Sequence, residues 1–294
     1  MGAPARDQAH AAWAHWMRVT RPVLRWHGGK WQLADWVISF FPPHHVYTEV
    51  FGGAASVLLK KARVHSEIYN DLDAGVVNLF RVLRDPEKAE RLAEQIRLTP
   101  FARGEFEAAY GPESPDEIER ARILVVRSYM GFGSDSVNKA RPTGFRVHAT
   151  RGGTSPGGDW RNWPECIAAV VDRLRGVMVE NKPAIEVLER FDAPETLHYV
   201  DPPYLAETRS VSPGVYAHEM NTEEQHRELA ACLHKLKGYI ILSGYQSTLY
   251  STLYDYKGWE RHTTAANTNM NIERTEAVWM NPRASDAFGQ GKLF

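Results

Sequence analysis

The stretch His198-Tyr199-Val200-Asp201-Pro202-Pro203-Tyr204 decides how the chain is read. Thr196 to Val200 has the β-branched and aromatic make-up of a buried strand, and the two prolines, which cannot donate to a ladder, must end it. Asp201 is thereby set at the carboxyl end of a strand, where open α/β sheets bind their ligands. Proline fixes its own φ and restricts the residue before it, so Asp201-Pro202-Pro203-Tyr204 is stiff. A stiff carboxylate beside an aromatic ring suits a flat ligand that carries an amine. Taken alone, the four residues fit an ordinary exit from strand to loop equally well.

Working outward, Val46 to Phe51 reads as a strand, Gly52-Gly53-Ala54-Ala55-Ser56 as a small-residue turn, and Val57 to Leu59 as the helix that follows. Strand, small turn and helix make the nucleotide-side element of a Rossmann-like sheet, although many α/β proteins turn this way for packing alone. A second strand, Glu67 to Tyr69, ends at Asn70-Asp71, roughly twenty residues past the turn, where such folds place an acid against a ribose hydroxyl. Asp71 meets that requirement; capping the next helix is its other use, one open also to Asn70 and Asp73. Upstream, Trp26-His27-Gly28-Gly29-Lys30 precedes Trp31, Leu33, Trp36, Val37 and Phe40 in helical rhythm. Lys30 at a helix start opposes the helix dipole, so either an anionic ligand group such as a carboxylate holds it or it is a plain exposed lysine. Further strands are expected over Gly176 to Glu180, Tyr239 to Ser243, Trp259 to Ala265 and Arg274 to Met280. The last two form a hairpin across Asn267 to Ile272, and helices run over Pro183 to Phe191 and from Thr222 onward.

The 294 residues can bury a large core and suit one large domain carrying a smaller one. No apolar run reaches the roughly 18 residues of a membrane span, and Met1 to Thr20 has no signal-like apolar run. Ala9, Ala12, Trp13, Trp16 and Met17 instead recur at helical spacing. Two isolated cysteines, Cys166 and Cys232, exclude a disulfide frame or zinc site, and a reducing, cytoplasmic setting is the default expectation. No metal-ligand spacing occurs, so no metal is expected.

A net charge of −1 excludes coating of nucleic acid by bulk electrostatics but not a local basic face. Helices are expected over Pro86 to Arg97 and Glu117 to Tyr129, followed by a long irregular segment from Gly131 to Trp163. Within it Lys139, Arg141, Arg146, Arg151 and Arg161 stand against Asp159 alone, interleaved with Phe145, His148 and Trp160. That balance suits phosphate contact with some base contact, a solvated insertion loop being the alternative.

In order and spacing these motifs resemble those of the Dam-like (D12 class) DNA adenine-N6 methyltransferases. Trp26 to Lys30 is similar to the family's tryptophan-x-Gly-Gly-lysine motif, Glu49 to Val57 to its glycine motif, Asp71 to its ribose acid, and Asp201 to Tyr204 to its DPPY motif. The likeness extends through Glu223 to Leu236, Leu242-Ser243 and Arg274-Thr275-Glu276. It implies a Rossmann-like S-adenosylmethionine-dependent methyltransferase fold of the α/β class, mostly parallel with helices on both faces, plus a smaller inserted helical and irregular DNA-recognition domain. The expected division is an N-terminal extension over 1–22, a catalytic domain over 23–84 and 176–294, and a target-recognition insert over 85–175. The resemblance implies a methyl group passed from S-adenosylmethionine to the N6 amine of an adenine flipped out of double-stranded DNA. Asp201, Pro202, Pro203 and Tyr204 are then catalytic; Trp26, Lys30, Phe51, Gly53, Asp71 and Asp201 bind the cofactor; Lys139, Arg141, Arg146 and Arg151 meet DNA. A bacterial or phage-infected cell is the implied setting, and the resemblance allows a partner restriction endonuclease. One departure stands out: the family's Phe-x-Gly-x-Gly pattern ends here at Ala55. Methylation of cytosine N4 and DNA binding without turnover are the competing readings.

Overall fold

The computed structural model describes residues 18–133, 135–138, 142–147, 155–205, 220, 222–267 and 273–291. The expected helix over Ala9 to Met17, the hairpin tip past Asn267, and Lys139, Arg141 and Arg151 lie outside the described residues. The chain divides into two compact units, one comprising Met1–Gly29 with Gly75–Arg175 and the other Lys30–Ala74 with Gly176–Phe294. These units meet along the chain at Gly29/Lys30, at Ala74/Gly75 within the helix Ala74–Leu83, and at Arg175/Gly176.

The second unit is built on seven strands: β1 (Val46–Glu49), β2 (Ser66–Asn70), β3 (Val177–Glu180), β4 (Thr196–Val200), β5 (Tyr239–Tyr245), β6 (Glu260–Asn267) and β7 (Glu273–Met280). They lie in the order β3-β2-β1-β4-β5-β7-β6, with the first five parallel and β7 antiparallel to both β5 and β6. The chain runs outward from β1 to β2 and β3 and then returns to place β4 on the other side of β1. The crevice of an open α/β sheet forms at such a reversal, so the carboxyl ends of β1 and β4 mark the expected site.

All five residues of β4 are buried, as expected of a parallel strand flanked on both sides. One of them is a histidine. His198 Nδ1 lies 2.8 Å from Thr48 Oγ1 on β1, and its Nε2 is 3.5 Å from Asp192, too far for a strong hydrogen bond. Burial pushes the His198 imidazole down to about 4 against the pull of Asp192, so the ring is neutral in the sheet. The surrounding core includes Val50, Ile68, Val200, Leu229, Leu242, Tyr250 and Trp279. Burying each such aliphatic or aromatic side chain contributes roughly 1.5–3 kcal/mol.

The first unit is mainly helical, with helices Pro86–Leu98, Arg103–Ala108 and Glu117–Met130. Asp85 caps the first from its side chain, and Asp116 caps the third. The segment expected to be irregular to Trp163 is in part ordered helix. Ser155 caps a helix over Pro156–Arg161, a 3-10 turn spans Trp163–Cys166, and the helix Ile167–Leu174 completes the unit. Two indoles pin it: Trp160 Nε1 donates to the Thr99 carbonyl at 2.8 Å and Trp163 Nε1 to that of Val23 at 2.9 Å. Gly157 and Gly158 hide this helix from propensity reasoning, because tertiary hydrogen bonds rather than local preference hold it.

Candidate active site

At the end of β1 the chain enters the small-residue turn. Gly52 tolerates no side chain, since a Cβ there would lie 2.2 Å from the ring of Tyr69, whose hydroxyl donates to the Gly53 carbonyl at 2.7 Å. Gly53 has φ 46° and Ala55 φ 53°, and Ala55 is the one non-glycine residue among those described with positive φ. A left-handed L-residue costs roughly 1–2 kcal/mol, so the conformation itself marks position 55 as one where glycine is at home. Ala55 also cannot cap the helix Ser56–Lys60 that it opens. Glu49 does so from β1: its Oε2 accepts from Leu58 N at 2.8 Å and from Tyr47 Oη at 2.7 Å. Burial nevertheless pushes the Glu49 carboxyl up to about 8, with those two hydrogen bonds working against the rise.

Asp71, just past β2, faces this turn. Its Oδ2 accepts from Gly53 N at 2.8 Å and its Oδ1 from Asp73 N at 2.8 Å. The cap-like bond to Asp73 and the position beside the glycine turn are thus both real, and they use different oxygens. Neighbouring Asn70 donates to the carbonyls of Val50 and Lys182 and accepts from Lys182 N, tying the ends of β1, β2 and β3 together.

At the end of β4 a second cluster forms. Lys30 Nζ lies 3.0 Å from Asp201 Oδ2 and 4.8 Å from the centre of the Tyr204 ring, and the lysine is 6% exposed. Lys30 is therefore not a plain exposed lysine, and the carboxylate beside it belongs to the chain's own Asp201 rather than to a ligand. Nor does Lys30 open a helix, since the first helical residue is Ala34; the glycines before it serve a turn in which Gly28 has φ 70° and Gly29 N donates to the Trp26 carbonyl. Tyr204 Oη sits 3.1 Å from Asp201 Oδ1 and 3.0 Å from Glu276 Oε2, and its ring meets that of Tyr245 edge-on at 4.5 Å. Glu276 of β7 stands directly opposite Tyr245 of β5 in the ladder. Burial raises the Asp201 carboxyl above the ordinary carboxylate range, and Lys30 and Tyr204 oppose that rise.

The structure thus brings Lys30, Asp201 and Tyr204 together at one strand end, and Phe51, Gly53 and Asp71 at the neighbouring turn. Trp26 belongs to the other unit. Arg146 is tied to Asp159 at 3.0 Å with an 11% exposed side chain, so the single acid of the basic segment is matched to one of its cations. Beside it, Gly131 bridges Phe145 in a short antiparallel pair that displays Phe132 and Val147, which are 67% and 68% exposed. Sequence reasoning assigned no role to Glu276, Tyr245 or Glu49. An acid directly before the apolar run Ala277 to Met280 was the available signal for Glu276.

Among the described residues no group of three or more histidine, cysteine or acidic side chains is arranged to hold a metal ion, and no helix is long and apolar enough to cross a membrane. No individual curated protein matches the chain. A family model, that of the D12 class N6 adenine-specific DNA methyltransferases, matches residues 26–113 and 164–270. The match covers both strand-end clusters except Glu276 and leaves out the basic segment. Its specificity for adenine decides against cytosine N4, and the sheet order agrees with a methyltransferase fold. On these grounds the chain belongs to the D12 class N6 adenine-specific DNA methyltransferase family.

Proposed function

We propose that this chain binds S-adenosylmethionine at the Gly52-to-Ala55 turn and methylates an adenine flipped out of double-stranded DNA at Asp201. Asp71 supports the first half. Its carboxylate, anchored by the amides of Gly53 and Asp73, is held beside the turn at the carboxyl end of β2, the place where such sheets bind a ribose. When bound, S-adenosylmethionine supplies a methyl group on a positively charged sulfur that leaves readily. Phe51 and Gly53 line the turn for it, and Trp26 and Lys30 assist from the preceding motif.

The observation that carries the second half is the cluster around Asp201. Adenine's exocyclic amine is a poor nucleophile because its lone pair is delocalised into the ring. Hydrogen bonds from that amine to Asp201 and to a backbone carbonyl of the Pro202-Pro203 pair draw it toward a tetrahedral geometry in line with the methyl group. Lys30 can yield its place at Asp201 because a lysine side chain swings on a flexible stem. Tyr204 is fixed by its hydroxyl, and its ring, over which Lys30 now lies at 4.8 Å, is the face on which the flipped base stacks once Lys30 has moved aside. Flipping costs a few kcal/mol, which stacking and the amine's hydrogen bonds offset. Positioning for in-line attack is the main catalytic contribution.

DNA contact falls to the first unit, where Lys139, Arg141 and Arg151 supply charge and exposed Phe132 and Val147 supply apolar contact. Replacing any of the three cations by glutamine should lower the salt slope of DNA binding by about 0.9. Arg146→Gln, which breaks the pair with Asp159, should lower stability instead. Expression in a host lacking adenine methylation, followed by sequencing with base-modification detection, tests the whole proposal. N6-methyladenine at one recurrent sequence is the expected result, and unmodified DNA from a host that accumulates folded protein overturns it.

A further inference from the structure

Tyr204 Oη lies within hydrogen-bonding distance of two carboxyl groups, 3.1 Å from Asp201 Oδ1 and 3.0 Å from Glu276 Oε2. A phenol has one proton and can donate it to only one of them. If both acids were ionised, the other contact would press a hydroxyl lone pair against an anionic oxygen. One acid must therefore supply a proton. Lys30 decides which, because its ammonium lies 3.0 Å from Asp201 Oδ2 and stabilises the charge there. Glu276 is 7% exposed on β7, and the Tyr245 hydroxyl also hydrogen-bonds to it.

We propose that Glu276 is a positioning residue that keeps its proton and donates it to Tyr204, so that Tyr204 donates to Asp201 and the chain fixes one charge state and one orientation of the carboxylate that receives the target amine. The role rests on the reading of Asp201 given above and deepens it. Burial of Glu276 and the charge of Asp201 favour the proton, while Lys30 and the tyrosine hydroxyls oppose it. The other titratable groups around the cluster are Tyr199 from β4, Tyr245 from β5, Tyr250, and Glu49 of β1, whose carboxyl the Asp201 charge helps to push up. The arrangement separates the two acids by role: Asp201 is held ionised to accept, and Glu276 is held neutral to donate.

The test combines a carboxyl carbon signal with kinetics on the full chain. In protein labelled with carbon-13 at the glutamate side-chain carboxyl, the signal that disappears in Glu276→Gln should lie in the protonated range at pH 7 and move to the ionised range only at alkaline pH. Glutamine reproduces both the donor and the acceptor of a neutral acid. Glu276→Gln should therefore keep kcat near wild type at pH 7 and lose the alkaline fall of the wild-type profile. Glu276→Ala should lower kcat by about 10- to 100-fold with little change in KM for S-adenosylmethionine. Should the alanine variant fail to fold, the carbon signal and the glutamine variant still decide. A Glu276 signal in the ionised range at pH 7 overturns the proposal, as does a Glu276→Gln enzyme with low kcat at pH 7 and an unaltered alkaline limb. If the wild-type chain transfers no methyl group, the reading of Asp201 falls, while the carbon signal continues to report the proton on Glu276.

Discussion

Two aspartates stand at neighbouring strand ends and are held in opposite ways. Asp71 accepts from the backbone amides of Gly53 and Asp73, whereas the described partners of Asp201 are the side chains of Lys30 and Tyr204. Amides of a tight turn cannot leave without undoing the fold. A lysine side chain can turn aside on its flexible stem without doing so. The difference separates a fixed template, suited to a ligand that is the same in every turnover, from an exchangeable one, suited to a substrate that must enter and leave.

The largest effect should fall on the exchangeable aspartate. Asp201→Ala should reduce methyl transfer on the order of 10³-fold or more while DNA affinity in a filter or anisotropy assay stays near wild type. Transfer at an undiminished rate would break the assignment of the two roles.

Next in size is the strand that carries Asp201. The His198 ring is neutral when folded and sits at about 4 against an ordinary 6.5, so the unfolded chain takes up a proton first as pH falls. Its share of stability is complete above pH 6.5 and is lost between there and pH 4, on the order of 3 kcal/mol. Glu49 runs the other way: with its carboxyl near 8, its share is complete below about 4.5 and is lost as pH rises through about 8. Denaturant melts of wild type and His198→Asn across pH 4 to 7 should diverge at the acid end, because asparagine keeps a bond to Thr48 and does not titrate. Parallel curves would show that β4 does not depend on the neutral ring.

The fixed aspartate should act on affinity. Asp71→Ala should raise the Kd for S-adenosylmethionine about 10- to 100-fold, a loss of charged hydrogen bonds worth roughly 1.5–3 kcal/mol, with kcat at saturation much less affected. A fall in kcat at unchanged Kd would erase the contrast with Asp201. The smallest effect belongs to the turn. Ala55→Gly relieves a left-handed alanine but gives up a buried methyl and frees the unfolded chain, so stability should stay within about 1 kcal/mol of wild type. A valine there should cost more, since a β-branched side chain tolerates positive φ least.

Much of the sheet is legible from residue pattern. Thr196 to Val200 is a strand to the residue because two prolines end it, and the β6–β7 pair announces itself by alternation and a polar gap. Asp201, Lys30 and Asp71 could be singled out because each combines an unusual residue with a backbone signal. Their contacts could not, since Lys30 and Asp201 are 171 positions apart and only the crossing of strands brings them within 3.0 Å. Glu276 stayed hidden for the same reason, being an acid in an edge-side strand whose purpose depends on Tyr245 opposite it. The helix Pro156–Arg161 escaped because its glycines argue against it and its indole bond from Trp160, to a carbonyl 61 positions distant, argues for it out of view.

The connection from β2 to β3 has a further consequence. β3 is the outermost strand on its side of the sheet, and the whole helical unit from Gly75 to Arg175 is threaded into the chain just before it. Asp201, Tyr204, Tyr245 and Glu276 belong to β4, β5, β7 and the residues just past β4, all of them later in the chain than that connection. A loop closed at an outer strand tolerates large changes in length at small entropic cost. The connection is therefore a natural splice point, at which the length of the inserted helical unit can change while the order of the later strands stays as it is.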